Sequence, residues 1–110
     1  MVANKNPVAK RLKEARILAN LSQKGLGIAA GIDEFSASAR MNQYEVGKHV
    51  PDFLTLKHIA KVLGCPVALF YAEDNDLAEM IGIFHNMSKQ NKKTLLGMAR
   101  DLLEKASPQT

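Results

Sequence analysis

The residues from Leu21 to Gly47, LSQKGLGIAAGIDEFSASARMNQYEVG, constrain the fold of this 110-residue chain more than any other stretch. They read as two short helices joined by a tight turn that contains glycine. Ser22 is placed to cap the first helix, because its hydroxyl can accept an N–H group that the first turn leaves unpaired. Leu26, Ala29 and Ala30 then form an apolar stripe, and Gly31 stands where a left-handed residue would end the helix. In the second helix Met41 and Tyr44 lie three apart on one face, while Arg40, Asn42 and Gln43 project elsewhere. That helix therefore has an apolar side to bury and a polar side to present.

The rest of the chain supplies further helices around this pair. Asn6-Pro7 reads as an N-cap followed by proline at the first helical position. It opens a helix to about Ala19, with Val8, Leu12, Ala15 and Ala19 at helical spacing and Lys10, Arg11 and Lys13 on other faces. The second helix covers roughly residues 22–29, where Gly25 and Gly27 each cost about 1 kcal/mol in helix propensity. Nothing in the sequence accounts for Gly25. The third helix starts after either Asp33 or Ser36, both competent caps, and ends near Glu45. Asp52 caps a fourth helix that buries Leu56, Ile59, Ala60 and Leu63 and stops at Gly64. Pro66 opens a short fifth helix ending near Phe70-Tyr71.

Beyond an acidic connector from Ala72 to Asp76, Leu77, Met80, Ile81, Phe84 and Met87 recur with the spacing of an amphipathic helix. Ser88 is placed to cap a last helix whose Leu95, Leu96, Met98, Ala99, Leu102 and Leu103 make another apolar stripe. The spacing thus describes an all-α chain in three parts. Residues 1–6 form a polar arm, 7–72 a five-helix unit, and 73–110 a helical extension. The arm and the tail Ser107–Thr110 are expected to be mobile.

An ordered set of residues runs through this plan: Leu21-Ser22-Gln23, Leu26-Gly27, Ala30-Gly31-Ile32, Met41, Tyr44-Glu45 and Gly47-Lys48. Pro51, Leu54-Thr55-Leu56, Ile59-Ala60 and Leu63-Gly64 continue it. The set resembles the lambda-repressor and Cro-like (Xre-type) helix-turn-helix family over residues 8–71. The segment from Gly31 to Glu45 is about four residues longer than the usual family turn and helix, close to one helical turn. The extra residues lengthen either the third helix or the turn before it.

The resemblance implies a five-helix, lambda-repressor-like DNA-binding domain with two additional C-terminal helices. Ser38, Ala39, Arg40 and Gln43 match positions that face the major groove. There arginine can pair with guanine, glutamine with adenine, and alanine can touch a thymine methyl. Ser22 and Gln23, at the start of the second helix, match a phosphate-binding end, which a helix N-terminus favours, and Gln23 matches a residue that also braces the reading helix. Asn42, Lys48 and His49 fall where the third helix and its following loop meet the DNA backbone. Arg16 and Glu45 match a charge pair tying the first helix to the end of the third, with Arg16 turned toward a phosphate. Gly27 matches a small residue that lets the second and third helices approach closely.

Charge distribution agrees with a DNA partner. Residues 1–61 hold ten Lys/Arg against five Asp/Glu, for +5, and residues 62–110 hold five against six, for −1. The basic excess lies in the part that would meet phosphates. A hydrophobic content of 46% without tryptophan describes an aliphatic core. No apolar run approaches the length of a membrane span, and the first residues lack the apolar region of a signal peptide, so a cytoplasmic protein is expected. One cysteine excludes an internal disulfide framework.

Enzyme and cofactor readings find little support. His49, His58, His85 and Cys65 show no metal-ligand spacing. Cys65 reads as a small buried hydrophobe. The glycines from Gly25 to Gly31 follow no strand, which a dinucleotide site needs. Neither catalysis nor a cofactor or metal is expected.

The expected function is sequence-specific transcriptional regulation, as a repressor on a palindromic operator. A lone reader covers few base pairs, so the extension is expected to pair two chains into a homodimer, its other use being to complete the monomer core. An alternative is an antitoxin-type interaction protein that also binds its own operator, with a toxin or anti-repressor as its protein partner. A helical adaptor that never touches DNA is a third reading, and it would show no salt-dependent binding to double-stranded DNA.

Overall fold

The structure, a computed structural model, describes residues 6–106. Met1–Lys5 of the expected arm and the tail Ser107–Thr110 lie outside the described residues. The elements in order are α1 (Val8–Leu18), α2 (Gln23–Ala29), α3 (Ala37–Glu45), α4 (Phe53–Leu63), a 3₁₀ helix (Val67–Tyr71), α5 (Asn75–His85) and α6 (Lys89–Ala106). No strand occurs among the described residues, so the chain is all-α. The short fifth helix is 3₁₀ rather than α, a geometry that suits a connector of only five residues.

Side-chain caps start most of these helices. The Asn6 side chain accepts the N–H of Val8, and Ser22, Asp52, Asp74 and Ser88 each accept the N–H three residues on. The four helices α1 to α4 end alike. Asn20, Gly31, Gly47 and Gly64 have φ of 60°, 94°, 81° and 71°. The next N–H in each case reaches back five residues, from Leu21 to Arg16, Ile32 to Gly27, Lys48 to Gln43 and Cys65 to Ala60. This ending satisfies carbonyls that the helix leaves open and reverses the chain sharply, so short helices can pack around one centre.

That centre is made of Val8 and Leu12 from α1, Leu26 from α2 and Ala30 just after it, Met41 and Tyr44 from α3, Leu56, Ile59 and Ala60 from α4, and Phe70. Each large side chain here contributes about 1.5–3 kcal/mol by leaving water. Packing between α2 and α3 is close. A Cβ on Gly27 would lie 2.8 Å from the Cβ of Ala37, so only glycine fits at this crossing. Gly25 also has a local reason. A Cβ there would stand 3.0 Å from Ser22 Oγ, the atom that accepts the N–H of Gly25, and would crowd the cap.

Two sequence expectations fail in α1. Ala19 is exposed, just past the end of the helix at Leu18. Arg11, expected on a solvent face, is buried at 5% exposure. Its Nε donates to the carbonyl of Ala72 at 2.8 Å and its Nη2 to that of Glu73 at 3.2 Å, while Nη1 meets Glu14. Arg11 therefore fastens the end of the 3₁₀ helix to α1. It also fixes where the extension leaves the body, and Lys10 adds a hydrogen bond to Asn75.

The extension does not complete the core. Of α5 only Ala78 is buried, and a Cβ on Gly82, one turn later, would touch Leu69. The helix thus docks on the 3₁₀ segment through its small residues. Leu77, Met80 and Ile83 stay about half exposed. None of the 18 residues of α6 is buried. Lys92 lies 5.5 Å from the centre of the Phe84 ring, and an open apolar groove runs between Pro66, Ala68, Met80, Ile81, Phe84 and Lys92.

Candidate nucleic-acid interface

The extra residues of the helix-turn-helix lie in its turn. Seven residues, 30–36, separate α2 from α3, where three or four are usual. Ile32 packs against the core and anchors the start of this loop. Asp33 Oδ2 then accepts the N–H of Phe35 at 3.0 Å, and the Asp33 carbonyl accepts the N–H of Ser36 at 3.0 Å. Helix α3 begins after Ser36, whose hydroxyl makes no capping bond. Asp33 shapes the turn, and with Glu34 it is exposed.

Helix α3 divides cleanly into two sides. Ala37, Met41, Tyr44 and Glu45 are buried. Ser38, Ala39, Arg40 and Asn42 are exposed and Gln43 is half-buried, so these residues form one outward polar surface. Arg40 is not isolated on it. The carboxyl of Asp52, the α4 cap, is held below its ordinary range first by hydrogen bonds from Thr55 and then by the attraction of Arg40.

Behind this surface a polar network joins three helices. Glu45 is the only buried acid among the described residues, and Arg16 grips it with both sides of its guanidinium. Nε meets Oε2 at 2.6 Å, Nη2 meets Oε1 at 3.0 Å, and Nη1 donates to the Leu21 carbonyl at 2.8 Å. The Glu45 bond holds the Arg16 pKa above its ordinary value against the opposing effect of burial. Gln23 Nε2 donates to Glu45 Oε1 at 3.1 Å and to Asn42 Oδ1 at 3.2 Å. The structure thus brings Arg16, Gln23, Asn42 and Glu45 together.

Donor supply decides what each member can do. Three nitrogens of Arg16 and the amide donors of Gln23 are turned inward. Both residues brace α3 in this arrangement. Asn42 accepts through its oxygen, which leaves its NH₂ group for an outside acceptor. Ser22 is exposed and uses Oγ to cap α2. Lys48 and His49 are exposed, and the backbone N–H of each bonds the Gln43 carbonyl, at 2.9 and 3.2 Å. The loop that carries them is therefore pinned to the end of α3.

Elsewhere the chemistry-bearing residues stay apart. Among the described residues no three His, Cys, Asp or Glu side chains gather where they could hold a metal ion, and no helix is long and apolar enough to cross a membrane. Cys65 is half-buried at the corner after α4, and burial pushes its thiol up to about 11. A thiol held in that form is a poor nucleophile. Sequence reasoning missed Phe35, which stands 94% exposed at the tip of the turn. Its signal was an aromatic residue between two polar caps.

No protein-family model and no curated protein matches the chain. Among solved structures, the crystal structure of the transcriptional regulator BswR superposes with a TM-score of 0.84 at 44% identity. The match covers 90% of this chain and 98% of that one, a share that residues 7–72 alone could not supply.

Proposed function

We propose that this chain, which belongs to the same family as the transcriptional regulator BswR, regulates transcription by binding double-stranded DNA. In this reading it is a lambda-repressor/Cro-like (Xre-type) protein that acts as a repressor, α3 lies in the major groove, and two chains meet a palindromic operator. The observation that carries it is the division of α3 into a braced inner side and an outward surface of Ser38, Ala39, Arg40, Asn42 and Gln43. A reading helix must be held rigidly while its polar side chains stay available to base edges. The Arg16–Glu45–Gln23 network supplies the first condition, and exposure supplies the second. Asn42, Lys48 and His49 follow at the C-terminal end, where phosphate contacts would set the register.

Pairing through the extension is the second part of the reading. Its support is that α6 buries nothing within one chain while carrying Leu96, Met98, Leu102 and Leu103 exposed. Open apolar faces of this extent are the kind that a second copy covers.

The test begins with a duplex selected by the purified protein from a random-sequence library. Arg40→Ala and Gln43→Ala should each lose about 1–3 kcal/mol on that duplex and little on unrelated DNA. Lys48→Ala should weaken both alike and lower the salt slope by about one. Equal losses on both DNAs for Arg40→Ala and Gln43→Ala would remove these residues as base readers.

A further inference from the structure

Phe35 is the most exposed large apolar side chain among the described residues, and its position is unusual. It sits in the lengthened turn, two residues before α3 begins, so its Cα lies no farther than about 7 Å from that of Ala37. The backbone there is ordered by its own bonds. Asp33 accepts the N–H of Phe35 through its side chain and that of Ser36 through its carbonyl, while Ile32 is held against the core. An aromatic ring on a pinned turn is presented, since ordering it costs little further entropy on binding.

Its neighbours restrict what the ring can meet. Asp33 and Glu34 are exposed acids, and the loop from 30 to 36 has no cation. Carboxylates repel phosphates, so this tip is unsuited to gripping the DNA backbone. The first outward residues of α3 are Ser38 and Ala39, two small side chains that allow close approach to a groove floor, and Arg40 follows them. Beside them a large ring reaches outward from the helix end. In the major groove the apolar feature that distinguishes one base pair from another is the thymine methyl.

Building on the DNA-reading function above, we propose that Phe35 is a specificity-determining residue that packs on a thymine methyl beside the bases met by the start of α3. The lengthened turn then gives the reading surface a larger apolar contact beside the small methyl of Ala39. Phe35 adds sequence preference without adding general affinity, because its flanking acids oppose non-specific attraction.

The experiment uses the full chain and the duplex that it selects from a random library. Each thymine in that duplex is replaced in turn by uracil, which differs only in lacking the methyl group. For the unaltered protein one replacement should weaken binding about fourfold to tenfold, as loss of one or two buried apolar groups would. Phe35→Ala should weaken binding to the thymine duplex by a similar factor, become indifferent to that same replacement, and bind random duplex unchanged. Phe35→Leu should restore part of the preference. Thermal unfolding of both variants should match the parent, since the ring is outside the core. A Phe35→Ala protein that binds as tightly as the parent, or that keeps the full response to uracil, would overturn the proposal while leaving DNA reading intact. Equal losses on selected and random DNA would overturn it too, as would a changed oligomeric state with unchanged DNA preference. Failure of the unaltered protein to bind any duplex would instead bring down the DNA-reading function itself, and this inference with it.

Discussion

Helices α4 and α6 look alike as patterns and behave as opposites. Both carry leucines at helical spacing with lysines between them, and α6 is the longer, at 18 residues against 11. Yet α4 hides Leu56 and Ile59 completely, whereas α6 hides nothing and leaves Leu102 and Leu103 about three-quarters exposed. Periodicity identifies a face that favours burial, and it does not say what will cover that face. In residues 8–72 the cover comes from the same chain. In residues 75–106 it does not, and α5 touches the body through Ala78 and Gly82 instead of through its large side chains.

The largest contrast should appear when one leucine is trimmed from each region. Leu56→Ala should cost about 2–5 kcal/mol of unfolding free energy, the usual result of emptying a packed site. Leu102→Ala, measured in dilute protein, should stay within about 0.5 kcal/mol of the parent. At high protein concentration the second variant should lose stability more than at low concentration, because partner binding stabilises by mass action. Denaturant titrations at two concentrations separate these cases.

A smaller effect concerns charge in the body, where α1 and α3 meet. Removing Glu45 leaves the half-buried Arg16 guanidinium without its main partner, so Glu45→Ala should cost about 3 kcal/mol. The double variant with Arg16→Ala should lose less than the sum of the two single changes. Strict additivity in that cycle would show that the bridge contributes nothing beyond its separate residues.

The smallest effect lies at the joint between the two regions. Arg11→Ala removes donors from the carbonyls of Ala72 and Glu73 and should cost about 1.5–3 kcal/mol. Amide exchange should quicken in the 3₁₀ helix and at the start of α5 while remaining slow in α3. Uniform quickening throughout the body would mean that Arg11 supports the core generally and does not fasten the joint.

How much of this was legible follows from which forces act locally. Ser22, Asp52 and Ser88 cap their helices as their sequence positions imply, and Gly31 and Gly64 end theirs, because capping depends on residues only a few positions apart. Met41 and Tyr44 were readable as core for the same reason, through helical spacing. Arg11 was not. Its burial depends on carbonyls 61 and 62 residues away, and nothing local distinguishes it from Lys10 or Lys13. The added residues near α3 were visible as a length, but two local caps competed, and the close packing of Ala37 on Gly27 accompanies the later start. For Arg16 and Gln23 the sequence identified the neighbourhood.

The proposed division of labour, in which residues 7–72 read DNA and α5 and α6 pair two chains, is tested most directly by sedimentation equilibrium. The full chain is run beside a variant with Leu102→Glu and Leu103→Glu, alone and with duplexes carrying one or two copies of the selected half-site. The parent should be a dimer that binds the two-site duplex far more tightly than the one-site duplex. The variant should be a monomer that still unfolds cooperatively and has the same affinity for either duplex, site for site. A variant that remains dimeric, or a parent that is monomeric throughout and binds both duplexes alike, would contradict the account.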